Sequence, residues 1–192
     1  MPTFDLRGIK IGKYINTEGT ITYETPISMG DAMSVELNLT AAEGRLYAES
    51  RLAEYKKLIT GGTASVGVKY ITDAAQKLLF GMSENTRNVG TNTSQKSLKA
   101  TAKDIAKFGM GFYAPDAIDG TDKYTAVFVY KVLFGAPGYV YATKGDSITF
   151  QTPTTTGEFL ADDSEDKSIM EIATLASESD AVAWINKCFG AS

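Results

Sequence analysis

The chain has 192 residues, 19 Lys and Arg against 23 Asp and Glu, a formal net charge of −4, one cysteine and no histidine. A length of this order fits a single domain over residues 1–192, and it buries about 70% of its unfolded surface, so no disulfide or metal staple is needed for a core. Without histidine the chain lacks the commonest general base, the commonest metal ligand and every Ser–His or Cys–His dyad. The mild negative charge argues against a nonspecific grip on nucleic-acid backbone, and Cys188 has no second cysteine to pair with. Met1 to Asp5 has neither the basic nor the apolar region of a secretory signal, and no run approaches the roughly 20 apolar residues of a membrane span. The expectation is a soluble chain made in the cytoplasm, with no membrane partner.

Ile9 and Ile11 share one face of a strand within Leu6 to Tyr14. The turn Asn16-Thr17-Glu18-Gly19 and the return Thr20 to Glu24 predict a hairpin over 9–24. Val35, Leu37 and Leu39 alternate with Ser34, Glu36, Asn38 and Thr40, which predicts a one-sided strand with Glu36 and Asn38 toward solvent. Glu43 to Gly62 mixes charged and small residues without a core pattern, and predicts a long loop making contacts between subunits. Ala64, Val66, Val68 and Tyr70 alternate with polar or small residues as a second one-sided strand. Thr72 is placed to cap a helix with the stripe Ala75, Leu78, Leu79 and Met82, and Gly81 to end it. Ser83 to Thr101, rich in Asn, Ser and Thr, predicts another loose stretch.

Lys96, Lys99, Lys103 and Lys107 have helical spacing, but such a stripe is more often a solvated face than a contact. Phe108, Met110 and Phe112 predict a strand in which Gly109 and Gly111 mark close backbone approach. Asp116, Asp119 and Asp122 surround Gly120 without the spacing of a calcium loop, so a polar turn is expected there. Tyr124 to Phe134 is apolar on both faces. Tyr124, Ala126, Phe128, Tyr130, Val132 and Phe134 alternate with Thr125, Val127, Val129, Lys131 and Leu133. Such a strand is covered twice, by a helix of its own chain or by a neighbouring subunit. Lys144-Gly145-Asp146 predicts a turn into the strand Ser147 to Gln151, which Pro153 ends or bulges. Ala161 to Asp166 is an acidic turn. Ser177 or Ser179 caps a C-terminal helix with Ala181, Trp184, Ile185 and Cys188 on one face and Gly190 at its end, an element spanning 177–190. The class is all-β with two flanking helices, a sandwich or barrel.

The run Lys144-Gly145-Asp146-Ser147, then Phe150-Gln151-Thr152-Pro153-Thr154, then threonines up to Gly157, resembles the signature of major tail proteins of long-tailed, non-contractile bacteriophages. Asp104 to Tyr113, with its paired glycines, resembles a strand of that family, and Lys123 to Phe134 its central aromatic strand. Leu46-Tyr47-Ala48-Glu49 and Asp180 to Asn186 resemble two further segments, whereas Ser83 to Thr101 matches poorly. The resemblance implies a β-sandwich with a flanking helix, hexameric rings whose sheets join into one barrel, and a stacked tube that conducts DNA. It implies a virion tail protein made in the host bacterial cytoplasm, with no enzyme activity, cofactor or metal. Its partners would be further copies of itself, tape-measure, tail-terminator and distal tail proteins, and passing DNA that is not specifically bound. On this reading Glu36, Asn38, Ser147, Thr149 and Gln151 are candidates for the lumen, and Tyr124, Phe128, Tyr130 and Phe134 for the subunit interface. The alternatives are a tube subunit of a contractile injection or type VI secretion apparatus, a carbohydrate-binding β-sandwich stacking sugars on Tyr23, Tyr55 or Tyr139, and an enzyme pairing Glu36 with Glu49.

Overall fold

The computed structural model describes residues 5–48, 51–102, 104–118, 121–136, 138, 143 and 152–190. The expected strand Ser147 to Gln151, and with it Ser147, Thr149 and Gln151, lies outside the described residues.

The fold is all-β with two helices, as the sequence predicts. Strands β1 (Arg7–Thr17) and β2 (Thr20–Tyr23) form the expected first hairpin. Glu18 and Gly19 both take positive φ, 51° and 88°, the conformation of a tight hairpin turn whose twist matches its strands. There follow β3 (Ile27–Ser28), β4 (Ala32–Ala48), β5 (Arg51–Val68), α1 (Asp73–Phe80), β6 (Ser83–Val89) and β7 (Asn92–Lys99). The rest of the chain gives β8 (Phe108–Ile118), β9 (Thr121–Phe134), β10 (Thr154–Leu160), β11 (Met170–Leu175) and α2 (Glu178–Cys188). Among the described residues nine strands make one antiparallel sheet in the order β2-β1-β8-β9-β10-β5-β4, with β11 also on β9 and β3 on β1. The sheet curls so that Ile9 and Ile11 of β1, Met110 of β8, Val129 of β9 and Val66 and Val68 of β5 meet in one core. Helix α1 caps that core with Ala75 and Leu79. Thr72 accepts from the Ala75 N–H, and Gly81 ends the helix at φ 60°.

A second, smaller core lies on the other face of β8 and β9. There Tyr113, Ala126 and Phe128 meet Ala181, Ile185 and Phe189 of the C-terminal segment. Ser177 is the cap of α2. The glycines of β8 make this packing possible. A Cβ on Gly111 would fall 2.6 Å from Ile185 Cγ2, and one on Gly109 2.5 Å from the Tyr23 ring. The doubly covered strand is therefore covered by the chain's own helix. Simple alternation fails within it, however. Val129 pairs with Met110 but Val132 with Phe108, so β9 carries one extra residue at Tyr130–Lys131. This bulge reverses the faces: Phe128 enters the α2 core and Phe134 the main core, although strict period two places them together. It also leaves Lys131 nearly buried, with Nζ 2.6 Å from Asp163 Oδ1. Asp163 in turn accepts from the Tyr14 hydroxyl at 2.9 Å, and burial pushes that phenol up to about 12.

Five readings are corrected. Glu43 to Gly62 is no loop but the distal part of the β4–β5 hairpin, and Ser83 to Thr101 contains the β6–β7 hairpin. Both escape a pattern reading because the described side chains on both faces of each hairpin meet solvent, so no one-sided apolar alternation is imposed. The lysine stripe does not form, since Lys96 and Lys99 lie on a strand, Lys107 precedes β8 and Lys103 is outside the described residues. Tyr70 follows the end of β5 and is half exposed. Asp116 belongs to β8 rather than to a solvated turn. It is fully buried, with Oδ2 accepting from the Thr125 hydroxyl at 3.1 Å and Oδ1 unpartnered.

The β6–β7 hairpin lies outside the main sheet and is tied to α1 through Glu84. Its carboxylate sits 2.5 Å from Lys77 Nζ and 2.8 Å from Lys96 Nζ. Hydrogen bonds from Lys77 and then Lys96 draw its pKa down from 4.5 to about 2. The folded value is the lower one, so this tie is complete above 4.5 and is lost as pH falls from there through about 2. An NMR titration of the Glu84 carboxyl is expected to give a midpoint near the lower value, with the amides of β7 shifting alongside. A midpoint near 4.5 contradicts the tie.

Candidate assembly surface

Pairing along β4, β5 and β10 determines which side chains share the outer face of the sheet. Glu36 stands opposite Ser65 and Asn38 opposite Thr63, while on the other side of β5 Ser65 faces Thr156 and Thr63 faces Glu158. Since side chains alternate across a strand, Ser34, Glu36, Asn38, Thr40, Thr63, Ser65, Thr154, Thr156 and Glu158 project on one side. All are exposed except Ser65, which is half-buried. The intervening Ala64, Val66, Thr155 and Phe159 are buried on the other side. The outer face thus carries hydroxyls, one amide, two carboxylates and, at the end of β10, the exposed Leu160, and within residues 32–40, 61–67 and 154–160 not a single Lys or Arg. Asn38 Nδ2 donates to Glu36 Oε1 at 2.9 Å, which orients the carboxylate along the face. Glu36 and Asn38 therefore lie where the alternation predicts, on a polar surface turned away from the core.

Beyond this face the β4–β5 hairpin leaves the body of the sheet. From Ala41 to Ala48 and Arg51 to Ile59 its strands pair, among the described residues, only with each other. Cross-strand contacts hold it: Glu43 Oε1 lies 2.9 Å from Lys57 Nζ, and the Arg45 guanidinium stacks 5.5 Å from the Tyr55 ring centre. Yet Leu46, Tyr47, Tyr55, Leu58 and Ile59 are each about half or more exposed. Exposed apolar clusters of this kind mark interaction sites. The edge of β4 is a second such feature. It runs 17 residues without proline and, among the described residues, pairs on one side only, whereas β2 and β3 at the opposite edge have four and two residues. Long open edges template pairing with another chain.

The aromatic candidates for an interface fall elsewhere. Phe128 and Phe134 are completely buried within the subunit. Phe128 packs edge-on against Phe189, Tyr130 and Tyr23 at 4.8, 5.2 and 5.6 Å, and Phe134 lies 6.4 Å from Phe108. They hold α2 and the main core together and are out of reach of a neighbour. Tyr124 and Tyr130 are half-buried at the margin of α2. Tyr130 donates to Glu171 Oε2 at 2.6 Å, and burial raises its pKa. The sugar platform loses Tyr23, whose ring is wedged edge-on among Tyr14, Phe128 and Phe189 and whose hydroxyl donates to the Tyr130 carbonyl. Tyr55 is stacked under Arg45, and Tyr139 and Glu49 lie outside the described residues. Burial pushes the Cys188 thiol up to about 11, which leaves little thiolate at neutral pH.

Among the described residues no three His, Cys, Asp or Glu side chains are grouped to hold a metal ion, and no helix is long and apolar enough to cross a membrane. No protein-family model and no curated protein matches the chain.

Proposed function

We propose that the protein is a structural, non-enzymatic subunit of a bacteriophage tail tube, which assembles as stacked hexameric rings and conducts DNA. The observation that carries this reading is the cation-free outer face of β4, β5 and β10, with Glu36 and Asn38 at its centre. DNA carries a dense line of negative phosphates and binds tightly to clustered Lys and Arg. A wall of hydroxyls with a few carboxylates offers it no cation to hold, so the strand slides. The long open edge of β4 and the exposed hairpin supply the surfaces for joining copies. Assembly in the host cytoplasm, with tape-measure, tail-terminator and distal tail proteins as partners and the virion tail as destination, belongs to the same reading.

Glu36→Lys tests it. The residue is exposed, so the isolated chain is expected to change in stability by no more than about 0.5 kcal/mol. Tubes are expected to form in normal yield. Each ring then carries a circle of added cations toward DNA, and ejection slows with a fall in infectivity. Parental ejection rates from fully assembled mutant tails contradict a luminal Glu36.

A further inference from the structure

A groove of about 510 Å³ lies between the start of β4 and the β8–β9 hairpin. Val35 and Leu37 form its β4 wall. They project away from Glu36 and Asn38, so the groove belongs to the core side of the sheet. Phe112 and Val127 make its floor and each keep 9% exposure, whereas Met110 and Val129, next on the same faces of the same strands, keep none. The other end of the groove is polar. Asp5 stands at its rim, and Thr125 lines it beside Ala114, its partner across the ladder. Asp116 follows Ala114 on the same side of β8, behind Thr125. The Thr125 hydroxyl donates its one proton to Asp116 Oδ2 at 3.1 Å, so toward the groove it can only accept. Asp116 is fully buried and its Oδ1 has no hydrogen-bond partner. A buried carboxylate left short of partners is stabilised by any cation or donor that comes near. Two cations of the chain lie close by. Arg7 is held by Asp5 and Glu178, and Lys123 stands across the ladder from Asp116 yet forms no ion pair among the described residues.

We propose that this groove binds a small primary ammonium with an unbranched apolar tail. The ammonium donates to the Thr125 oxygen, with the Asp116 charge behind it, and the tail lies over Phe112 and Val127 against Val35 and Leu37. Apolar walls with a few placed polar groups, in a cleft of this size, are the marks of a small-ligand site. The site discriminates by charge. An alcohol of the same length fills the groove and reaches Thr125 but brings no positive charge to Asp116, and a carboxylate is repelled by it. The proposal is independent of the tube reading, since the groove lies on the core side of β4.

Titration of n-hexylammonium, n-hexanol and hexanoate into isotope-labelled protein, followed by NMR, tests the site. Hexylammonium is expected to shift the amides of Leu37, Phe112, Ala114, Thr125 and Val127 in a saturable way. Hexanol is expected to bind about tenfold or more weakly, and hexanoate to leave these amides unmoved. Asp116→Asn and Thr125→Val, each checked for a native circular dichroism spectrum, are expected to lose about tenfold in affinity for hexylammonium. Thr125→Ser keeps the hydroxyl and is expected to keep the binding, so the valine and serine variants decide the matter even where Asp116→Asn fails to fold. Equal affinity for hexylammonium and hexanol, shifts spread beyond the groove, or parental binding by Thr125→Val overturns the site. Shifts of the same amides with protein concentration alone give the groove to a second copy and also overturn it.

Discussion

Shortening the β4–β5 hairpin, by joining Glu43 to Lys57 through Asn-Gly, is expected to give a folded chain that no longer assembles. None of the described residues of the excised part belongs to either core. Its described side chains are exposed on both faces, and among the described residues its strands pair only with each other. The base of the hairpin keeps its packing, because Val35, Leu37, Ala64 and Val66 join the main core and β10 pairs with β5 only from Gly61 to Gly67. Asn-Gly suits a two-residue turn between paired strands. Thermal unfolding of the shortened chain is expected to stay close to that of the parent, while sedimentation finds monomer at concentrations where the parent forms rings or tubes. Loss of the folded state shows the hairpin to be structural; tubes of normal yield show it to be dispensable for assembly.

Phe128→Ala is expected to be the most damaging single substitution in the isolated chain. Phe128 is fully buried beneath α2, in ring contact with Phe189, Tyr130 and Tyr23. Truncating a buried phenylalanine removes its transfer free energy and leaves a cavity, at a cost of about 3–5 kcal/mol. The cavity lies in the smaller core, which joins α2 to the sheet, so helix loosening is expected to precede global unfolding. Denaturant unfolding, with Trp184 on α2 as the fluorescent reporter, measures both. A subunit-interface role predicts the opposite: an undisturbed monomer and failed assembly. A loss below about 1 kcal/mol in the isolated chain contradicts the packing described here.

How far the sequence carries the fold is best judged from particular segments. The first hairpin, the Thr72 and Ser177 caps and the alternation of Phe108, Met110 and Phe112 are local signals, and each appears where local chemistry puts it. The placement of Glu36 and Asn38 on a polar face follows from the same period-two rule. The bulge at Tyr130–Lys131 has no comparable signature. It depends on what β8 offers across the sheet, and it alone reverses the side on which Phe134 lies. The two exposed hairpins are a different failure. A strand with both faces in water gains nothing from alternating hydrophobicity, and only its cross-strand pairs betray it. Glu43 with Lys57 and Arg45 with Tyr55 are such pairs, and they read as scattered charges until the register is known.

The most direct test of the account is electron microscopy of the purified, concentrated protein, alone and with tail-initiation proteins, carried to a resolution that traces strands. The account predicts stacked hexameric rings around a channel, with the Glu36–Asn38 face of β4 and β5 on the inner wall and the edge of β4 joined to a neighbouring subunit. A chain that stays monomeric under every condition, or a tube with Glu36 on its outer surface, contradicts it.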